Sequence, residues 1–126
     1  MKMIDKVFEE LKRQGVVPTM EDFGIMFKYQ MTNYLCLIDK EDEEYFNMYV
    51  PSIFEVSEEN EHEVLKAINK VNNSMKVVKL TINGDSVWIG FEEELPKDAD
   101  VADVVPYAIT GLFRARQQFY EALKEV

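Results

Sequence analysis

The segment KLTINGDSVWIGFE, residues 79 to 92, restricts the possible folds of this chain most strongly, because it has the pattern of a β-hairpin. Asn83-Gly84 suits a two-residue type I′ turn, in which both central residues need positive φ. With this turn, the apolar side chains of both strands fall on one face of the hairpin. The predicted cross-strand pairs are Ile82 with Asp85, Leu80 with Val87, Val78 with Ile89, Thr81 with Ser86, Lys79 with Trp88 and Val77 with Gly90.

Trp88, the only tryptophan of the chain, falls on the other face of this hairpin. Its predicted neighbour across the strands is Lys79, close enough for a cation–π contact. The same alternation in the segment YFNMYV directs Tyr45 and Tyr49 to this outer face. Exposed aromatic surface often marks association. We therefore predict a partner or dimer surface of Trp88, Lys79, Val77, Tyr45 and Tyr49, with a helix that covers this face as the alternative.

Helical periodicity occurs in three other segments. Apolar residues from Ile4 to Leu11 share one helix face, and Ser57 followed by three glutamates predicts the start of a second helix that ends near Ser74. A long amphipathic helix is predicted from about Asp103 onward. In that helix Pro106 would fall in the first turn, where its missing N–H removes no hydrogen bond.

Three strands are predicted between the first two helices. Residues 23–29 alternate apolar and polar side chains, a turn around Thr32 and Asn33 follows, and YLCLID and YFNMYVPSIFEV are the next two strands. Pro51 indicates the end or edge of the third strand, because proline donates no hydrogen bond to a ladder.

The predicted element order is therefore α-β-β-β-α-β-β-α. Short links between consecutive strands favour antiparallel pairing. We predict a single α+β domain over residues 1–126, with helices packed on one face of an antiparallel sheet.

The composition is that of a globular protein, with 47% hydrophobic residues and a net charge of −10. This acidity disfavours nucleic-acid and membrane binding. Cys36 is the only cysteine, and MKMIDKVFEELK has neither a signal-peptide nor a membrane-span pattern, so we predict a cytoplasmic protein.

The segments FNMYVPSIFEV, LKAINKVNNSMKVVKL and VWIGFE, followed by the long last helix, resemble the YbjN family, whose fold is that of class I type III secretion chaperones. The resemblance covers nearly the whole chain and depends on structural motifs. It implies a small, cytoplasmic, non-enzymatic protein, often dimeric, that binds another protein or has a regulatory role. It implies no catalytic residues.

No motif for catalysis or a cofactor is present. The glycines do not form a phosphate-binding loop, and one histidine, His62, with one cysteine cannot supply the common zinc ligand sets. The acidic run from Asp39 to Glu44 lacks the glycine of a calcium-binding EF-hand loop, so a solvated hairpin tip is the preferred interpretation. We predict no catalytic, cofactor or metal site.

Two further polar groups have structural explanations. Asn72 and Asn73 lie where a helix must end and are interpreted as capping residues. Arg114 and Arg116 could bind a carboxylate or phosphate, but ion pairs with nearby acids are the preferred role.

These observations predict a non-catalytic protein-interaction or regulatory module that binds a protein partner or forms a homodimer. The alternative is a small ligand-binding domain or enzyme whose site assembles only in space, for example in a pocket lined by Arg114, Arg116 and several acids.

Overall fold

A computed structural model describes residues 1–125 and contains three helices and six strands. The elements in chain order are α1 (Met3–Arg13), β1 (Thr19–Glu21), β2 (Gly24–Tyr29), β3 (Thr32–Leu37), β4 (Tyr45–Glu55), α2 (Glu61–Ser74), β5 (Val78–Asn83), β6 (Ser86–Glu94) and α3 (Val101–Lys124). The strands form one sheet in the order β1-β2-β3-β4-β6-β5, and every neighbouring pair is antiparallel.

All three helices pack on the same face of this sheet. Their buried apolar residues share one core with the inward side chains of β2 to β6. Fully buried members include Leu11, Val64 and Leu112 from the helices and Met48 and Ile89 from the sheet. The predicted α+β class, with an antiparallel sheet and helices on one face, is therefore confirmed.

One strand, β1, was not predicted. It has only three residues, all of them exposed, and it pairs with β2 from Thr19–Met26 to Glu21–Gly24. Without a buried side chain, a three-residue strand leaves no alternation of apolar and polar residues to detect.

The turn between β2 and β3 lies at Gln30-Met31 and not at the predicted Thr32-Asn33, because Tyr29 pairs with Thr32. Both turn residues have positive φ, 48° and 62°. The core sets this register: Phe27 and Tyr34 face each other across the strands and stack with ring centroids 4.8 Å apart. Packing of the two rings outweighs the turn preference of Asn33.

We expect Gln30→Asn combined with Met31→Gly to stabilise the monomer by about 1 kcal/mol, because Asn-Gly adopts positive φ more readily than Gln-Met. Urea unfolding of a dilute sample measures this difference. Asn33→Gly on the neighbouring strand is the control and should not stabilise the protein. A double variant no more stable than the parent would contradict the prediction.

The register of the β5–β6 hairpin also differs from the predicted one. Gly84 and Asp85 form the loop, Asn83 pairs with Ser86, and Thr81, not Lys79, faces Trp88. This register pairs Ile82 with the buried Val87, whereas the predicted register paired it with a charged aspartate. Because the shift is two residues, the side chains within β5 and β6 keep their predicted faces.

Pro51 lies within β4, an interior strand, and not at a strand end or sheet edge. The β4–β6 ladder is irregular between Val50 and Phe54, and Ser52 in this irregular stretch has φ 50°. A bulge tolerates proline because the ladder hydrogen bonds are already interrupted.

The helix starts differ from the predicted ones. Asp100 caps α3, because its side chain accepts a hydrogen bond from the Ala102 N–H at 2.9 Å. Pro106 therefore lies in the second turn of the helix and not in the first. Because proline has no N–H, the Ala102 carbonyl lacks its helical hydrogen-bond donor. The second helix begins at Glu61 and not directly after Ser57.

Candidate interaction surface

The face of the sheet that points away from the helices, called here the outer face, carries a row of residues that crosses all six strands. Cross-strand pairing joins its members in the order Thr19, Met26, Leu35, Tyr49, Gly90 and Lys79. Met26 is 39% exposed and the neighbouring Leu37 is 37% exposed. Since all helices of residues 1–125 pack on the other face, none of them covers this surface. The alternative of a covering helix is therefore wrong.

Four of the predicted surface residues come together on this face. The Lys79 Nζ lies 2.6 Å from Glu92 Oε1, and both tyrosines, Tyr45 and Tyr49, donate hydrogen bonds to Glu92 Oε2. The two tyrosine hydroxyl oxygens lie 3.0 Å apart. Trp88 contacts Tyr49 edge to face, with 6.3 Å between ring centroids.

This network shifts the pKa values of its members. Burial alone would raise the pKa of Glu92, but hydrogen bonds from Lys79, Tyr45 and Tyr49 outweigh it and hold the pKa below its usual range. Burial, together with the hydrogen bond to the Glu92 carboxylate, raises the pKa of Tyr45, and burial also raises the pKa of Tyr49. Both tyrosines therefore remain neutral donors, and Glu92 remains an ionised acceptor, at neutral pH.

Gly90 makes room for Tyr49 in this network. A Cβ atom at position 90 would lie 2.8 Å from Tyr49 Cε1 and 2.9 Å from Tyr49 Cδ1, so the ring covers the glycine of the neighbouring strand. An aromatic side chain over a cross-strand glycine is a known way to stabilise a sheet.

The predicted cation–π contact between Lys79 and Trp88 is wrong. Lys79 pairs with Gly90 across the strands and forms a salt bridge with Glu92. The cation–π contacts of residues 1–125 are elsewhere, between Lys12 and Phe8 and between Arg116 and Tyr120.

Val77 precedes β5 and is not part of the network. Its φ is 71°, and the N–H of Val78 donates to the Lys76 carbonyl at 2.8 Å, which makes a three-residue turn centred on Val77. The side chain is 44% exposed, but regular strand alternation does not extend to it.

Glu92 was not predicted as part of this surface, and Gly90 was predicted on this face only as the cross-strand partner of Val77. Both follow Trp88 at intervals of two and so share its face, a signal that the sequence contains. Their contact with Tyr45 and Tyr49 depends on the pairing of β4 with β6, which no local pattern specifies.

Asn72 does not cap its helix, because α2 continues to Ser74. Its side-chain amide instead donates to the Leu80 carbonyl at 3.1 Å and accepts from the Leu80 N–H at 2.8 Å. Leu80 lies on β5, the edge strand of the sheet, so Asn72 occupies the place of a neighbouring strand at that residue. Asn73 bonds only to the Asn69 carbonyl of its own helix.

Arg114 and Arg116 are not ion-paired with an acid among residues 1–125. Arg116 donates to Thr32 Oγ1 at 3.3 Å and lies over the Tyr120 ring, whereas Arg114 is exposed. The preferred role as ion-pair partners is therefore wrong for the described chain.

The acidic loop 39–44 is held by hydrogen bonds between its own carboxylates and its own backbone N–H groups. The Asp39 carboxylate accepts from the N–H groups of Glu41 and Asp42, and the Asp42 carboxylate accepts from that of Glu44. No three His, Cys, Asp or Glu side chains within residues 1–125 converge as a metal-binding set.

A cavity of about 140 Å³ lies between the start of α1 and this loop. Ile4, Val7, Cys36 and Phe46 are among its apolar lining residues, and Leu37 and Tyr45 connect it to the outer face. Burial raises the pKa of the Cys36 thiol to about 12, so the thiol stays protonated. Neither arginine of α3 lines this cavity.

Even α3, with 24 residues, does not combine the length and hydropathy of a bilayer-spanning segment, and neither do the two shorter helices of the described chain.

The three helices on one face of a six-stranded antiparallel sheet define a YbjN-like fold, as two solved structures show. The crystal structure of YbjN from E. coli, described as a candidate transcription regulator, superposes with a TM-score of 0.67 at 10% sequence identity, over 99% of this chain and 96% of that chain. An uncharacterised protein from Methanothermobacter thermautotrophicus superposes with a TM-score of 0.68 at 14% identity, over 96% of each chain. No family sequence profile matches the chain, and no curated protein matches it either.

Proposed function

We propose that this chain is a non-catalytic protein-interaction module of the cytoplasm whose outer face binds a protein partner, a second copy of the chain in a homodimer being one such partner. The observation that carries the proposal is the pair of partly exposed aromatic side chains, Trp88 and Tyr49, on a face that no helix of residues 1–125 covers. Trp and Tyr are the side chains most enriched at interface hot spots.

The chemistry of the outer face supports association. Glu92 already binds the hydroxyl groups of Tyr45 and Tyr49 and the Nζ of Lys79. A partner can therefore contact the two rings without desolvating polar groups that have no hydrogen-bond partner. Met26, Leu35 and Leu37 extend the apolar area beside them.

Both edges of the sheet are poorly suited to strand addition, which favours the face as the binding surface. At one edge β1 has three residues and follows Pro18, which has no N–H to donate. At the other edge Asn72 already bonds both main-chain groups of Leu80 on β5.

Three of the groups with shifted pKa values have structural surroundings that account for the shift, which supports a non-enzymatic role. Glu92 holds the tyrosines, Glu10 bonds Arg13 and Gln14, and Cys36 is buried in the core. A regulatory role, as described for YbjN, would in this acidic chain act through protein contacts, because a net charge of −10 disfavours direct contact with nucleic acid or a membrane.

We expect Trp88→Glu to weaken self-association, or capture of a partner from native lysate, at least about tenfold, because it replaces the largest aromatic side chain of the outer face, in contact with Tyr49, by a charged one. Sedimentation equilibrium and affinity capture measure the effect, and circular dichroism reports whether the domain remains folded.

Tyr107→Glu is the matched control, since Tyr107 is a 61% exposed aromatic residue on the helical side of the molecule. Folded Trp88→Glu protein with parental association, or an equal loss in Tyr107→Glu, would refute the proposed surface.

A further inference from the structure

We propose that the partner of the outer face is a basic amphipathic helix of another protein. Its apolar side chains contact Trp88 and Tyr49, and its lysine or arginine side chains contact the carboxylates around them. The inference rests on the proposed function and adds the chemistry of the partner. The charge of the outer face, the crowding of its carboxylates and the protected edges of the sheet each support it.

The strands present more acidic than basic side chains on the outer face. Cross-strand pairing places these charged residues on it: Glu21, Glu55, Glu92, Glu94, Lys28 and Lys79. Lys79 already forms a salt bridge with Glu92, so Lys28 is the only lysine of these strands left to balance the other carboxylates. The outer face is therefore net negative, as is the whole chain, with a charge of −10.

The segments at the two ends of this face do not reverse its sign. At one end, loop 39–44 contains five acidic residues, so Lys40 of this loop and the nearby Lys2 do not neutralise it. At the other end, Glu55 pairs with Ser86, and Asp85 lies in the adjoining turn of the β5–β6 hairpin. Acidic groups therefore lie at both ends of the aromatic surface.

The surroundings of Glu94 show that carboxylates crowd together without a counter-ion at the end of β6. Asp42 raises the pKa of Glu94, chiefly through a hydrogen bond, and partial loss of water and the charges of Asp39 and Glu44 raise it further. No lysine or arginine within residues 1–125 forms a salt bridge with any of these four carboxyl groups. Like charges held together in this way favour the binding of a cationic side chain.

Charge also favours a basic partner over a second copy of the chain. Two stacked outer faces would bring net negative surfaces together, and like charges across an interface oppose association. Basic side chains instead neutralise Glu55 and Glu94. Lysine and arginine are also attracted to the faces of tryptophan and tyrosine rings, which Trp88 and Tyr49 supply.

A helix suits this surface better than an added strand. Strand addition needs an open sheet edge, but β1 is short and follows Pro18, and Asn72 bonds the main chain of Leu80 on β5. Trp88 and Glu94 are six residues apart on β6, or about 20 Å. An α-helix of about 13 residues has this length, so it reaches from the aromatic pair to the acidic end.

Two synthetic peptides of about 14 residues test the chemistry of the partner. One forms an amphipathic helix of leucine and lysine, and the other has glutamate in place of every lysine. We expect the protein to bind the leucine–lysine peptide, with an affinity that falls as salt is added, and not to bind the leucine–glutamate peptide. The fluorescence of Trp88, the only tryptophan of the chain, reports binding at the proposed surface.

Glu94→Lys and Glu93→Lys form a matched pair, because they change the net charge of the chain equally at neighbouring exposed positions. Glu94 lies on the outer face, whereas Glu93 pairs with the buried Phe46 and lies on the opposite face. We expect Glu94→Lys to weaken binding of the leucine–lysine peptide about fivefold or more, and Glu93→Lys to change it by less than about twofold. Circular dichroism reports whether both variants remain folded.

Equal losses in the two variants would show attraction by net charge alone and overturn the inference. Failure of the leucine–lysine peptide to bind, equal binding of the leucine–glutamate peptide, or an affinity that rises with salt would overturn it as well. In each of these cases loss of self-association or partner capture in Trp88→Glu would still support the proposed surface, so the two failures are distinguishable.

Discussion

Gly24→Ala is expected to destabilise the protein by about 3 kcal/mol or more, the largest effect of any substitution considered for this chain. Gly24 has φ 145°, and a Cβ atom there would lie 2.0 Å from the Cys36 carbonyl oxygen and 3.0 Å from Leu37 Cα. Both contacts are with backbone atoms, so no side-chain rotation relieves them.

The backbone of β3 has little freedom to move away from such a Cβ atom. The Cys36 side chain is buried in the core, and the next residue, Leu37, is held by Asn47, whose side chain accepts from the Leu37 N–H at 2.6 Å and donates to its carbonyl at 2.8 Å. A shift of β3 at Cys36 would therefore disturb both core packing and these two hydrogen bonds.

Gly84→Ala separates the steric effect from the backbone effect. Gly84 also has positive φ, 67°, but a Cβ atom there would meet nothing within 4 Å, so we expect a cost of about 1 kcal/mol. Urea unfolding measures the loss of unfolding free energy in both variants, and the slope of that free energy against urea concentration should stay unchanged. Equal losses in the two variants would show that β3 adapts to the added methyl group.

The faces of the strands could be predicted from the sequence, but their registers could not. Alternation placed Leu80, Val87 and Ile89 inward and Trp88 outward, and the structure agrees. The Asn83-Gly84 pair predicted the wrong loop because a turn preference contributes about 1 kcal/mol at most, less than the apolar pairing of a whole hairpin.

The outer face could be predicted only in part for the same reason. Tyr45, Tyr49 and Trp88 follow from alternation along single strands. Glu92 joins the tyrosines only because β4 pairs with β6, a contact between residues more than forty positions apart in the chain. Contacts at this separation depend on the whole sheet, and a single sequence contains no local signal for them.

Asn72→Leu is expected to cost about 3 kcal/mol, because it leaves the N–H and the carbonyl of Leu80 without partners at a buried position. Leucine has nearly the shape of asparagine, so it keeps water away from both groups while bonding neither. Asn72→Ala should cost less, about 1 to 2 kcal/mol, because the smaller side chain lets water reach the strand. Urea unfolding measures both values.

Asn73→Ala is the control for this comparison, since the Asn73 amide bonds only within its own helix and its loss should cost less than about 0.5 kcal/mol. The order of the three costs distinguishes two roles for Asn72. If Leu is worst and Ala intermediate, the amide acts as a substitute strand at the edge of the sheet, and the Leu variant should also aggregate more readily because β5 then presents unpaired groups. If Asn72→Leu is as stable as the parent, the hydrogen bonds to Leu80 contribute nothing, and the edge of β5 is protected by its neighbours in α2 alone.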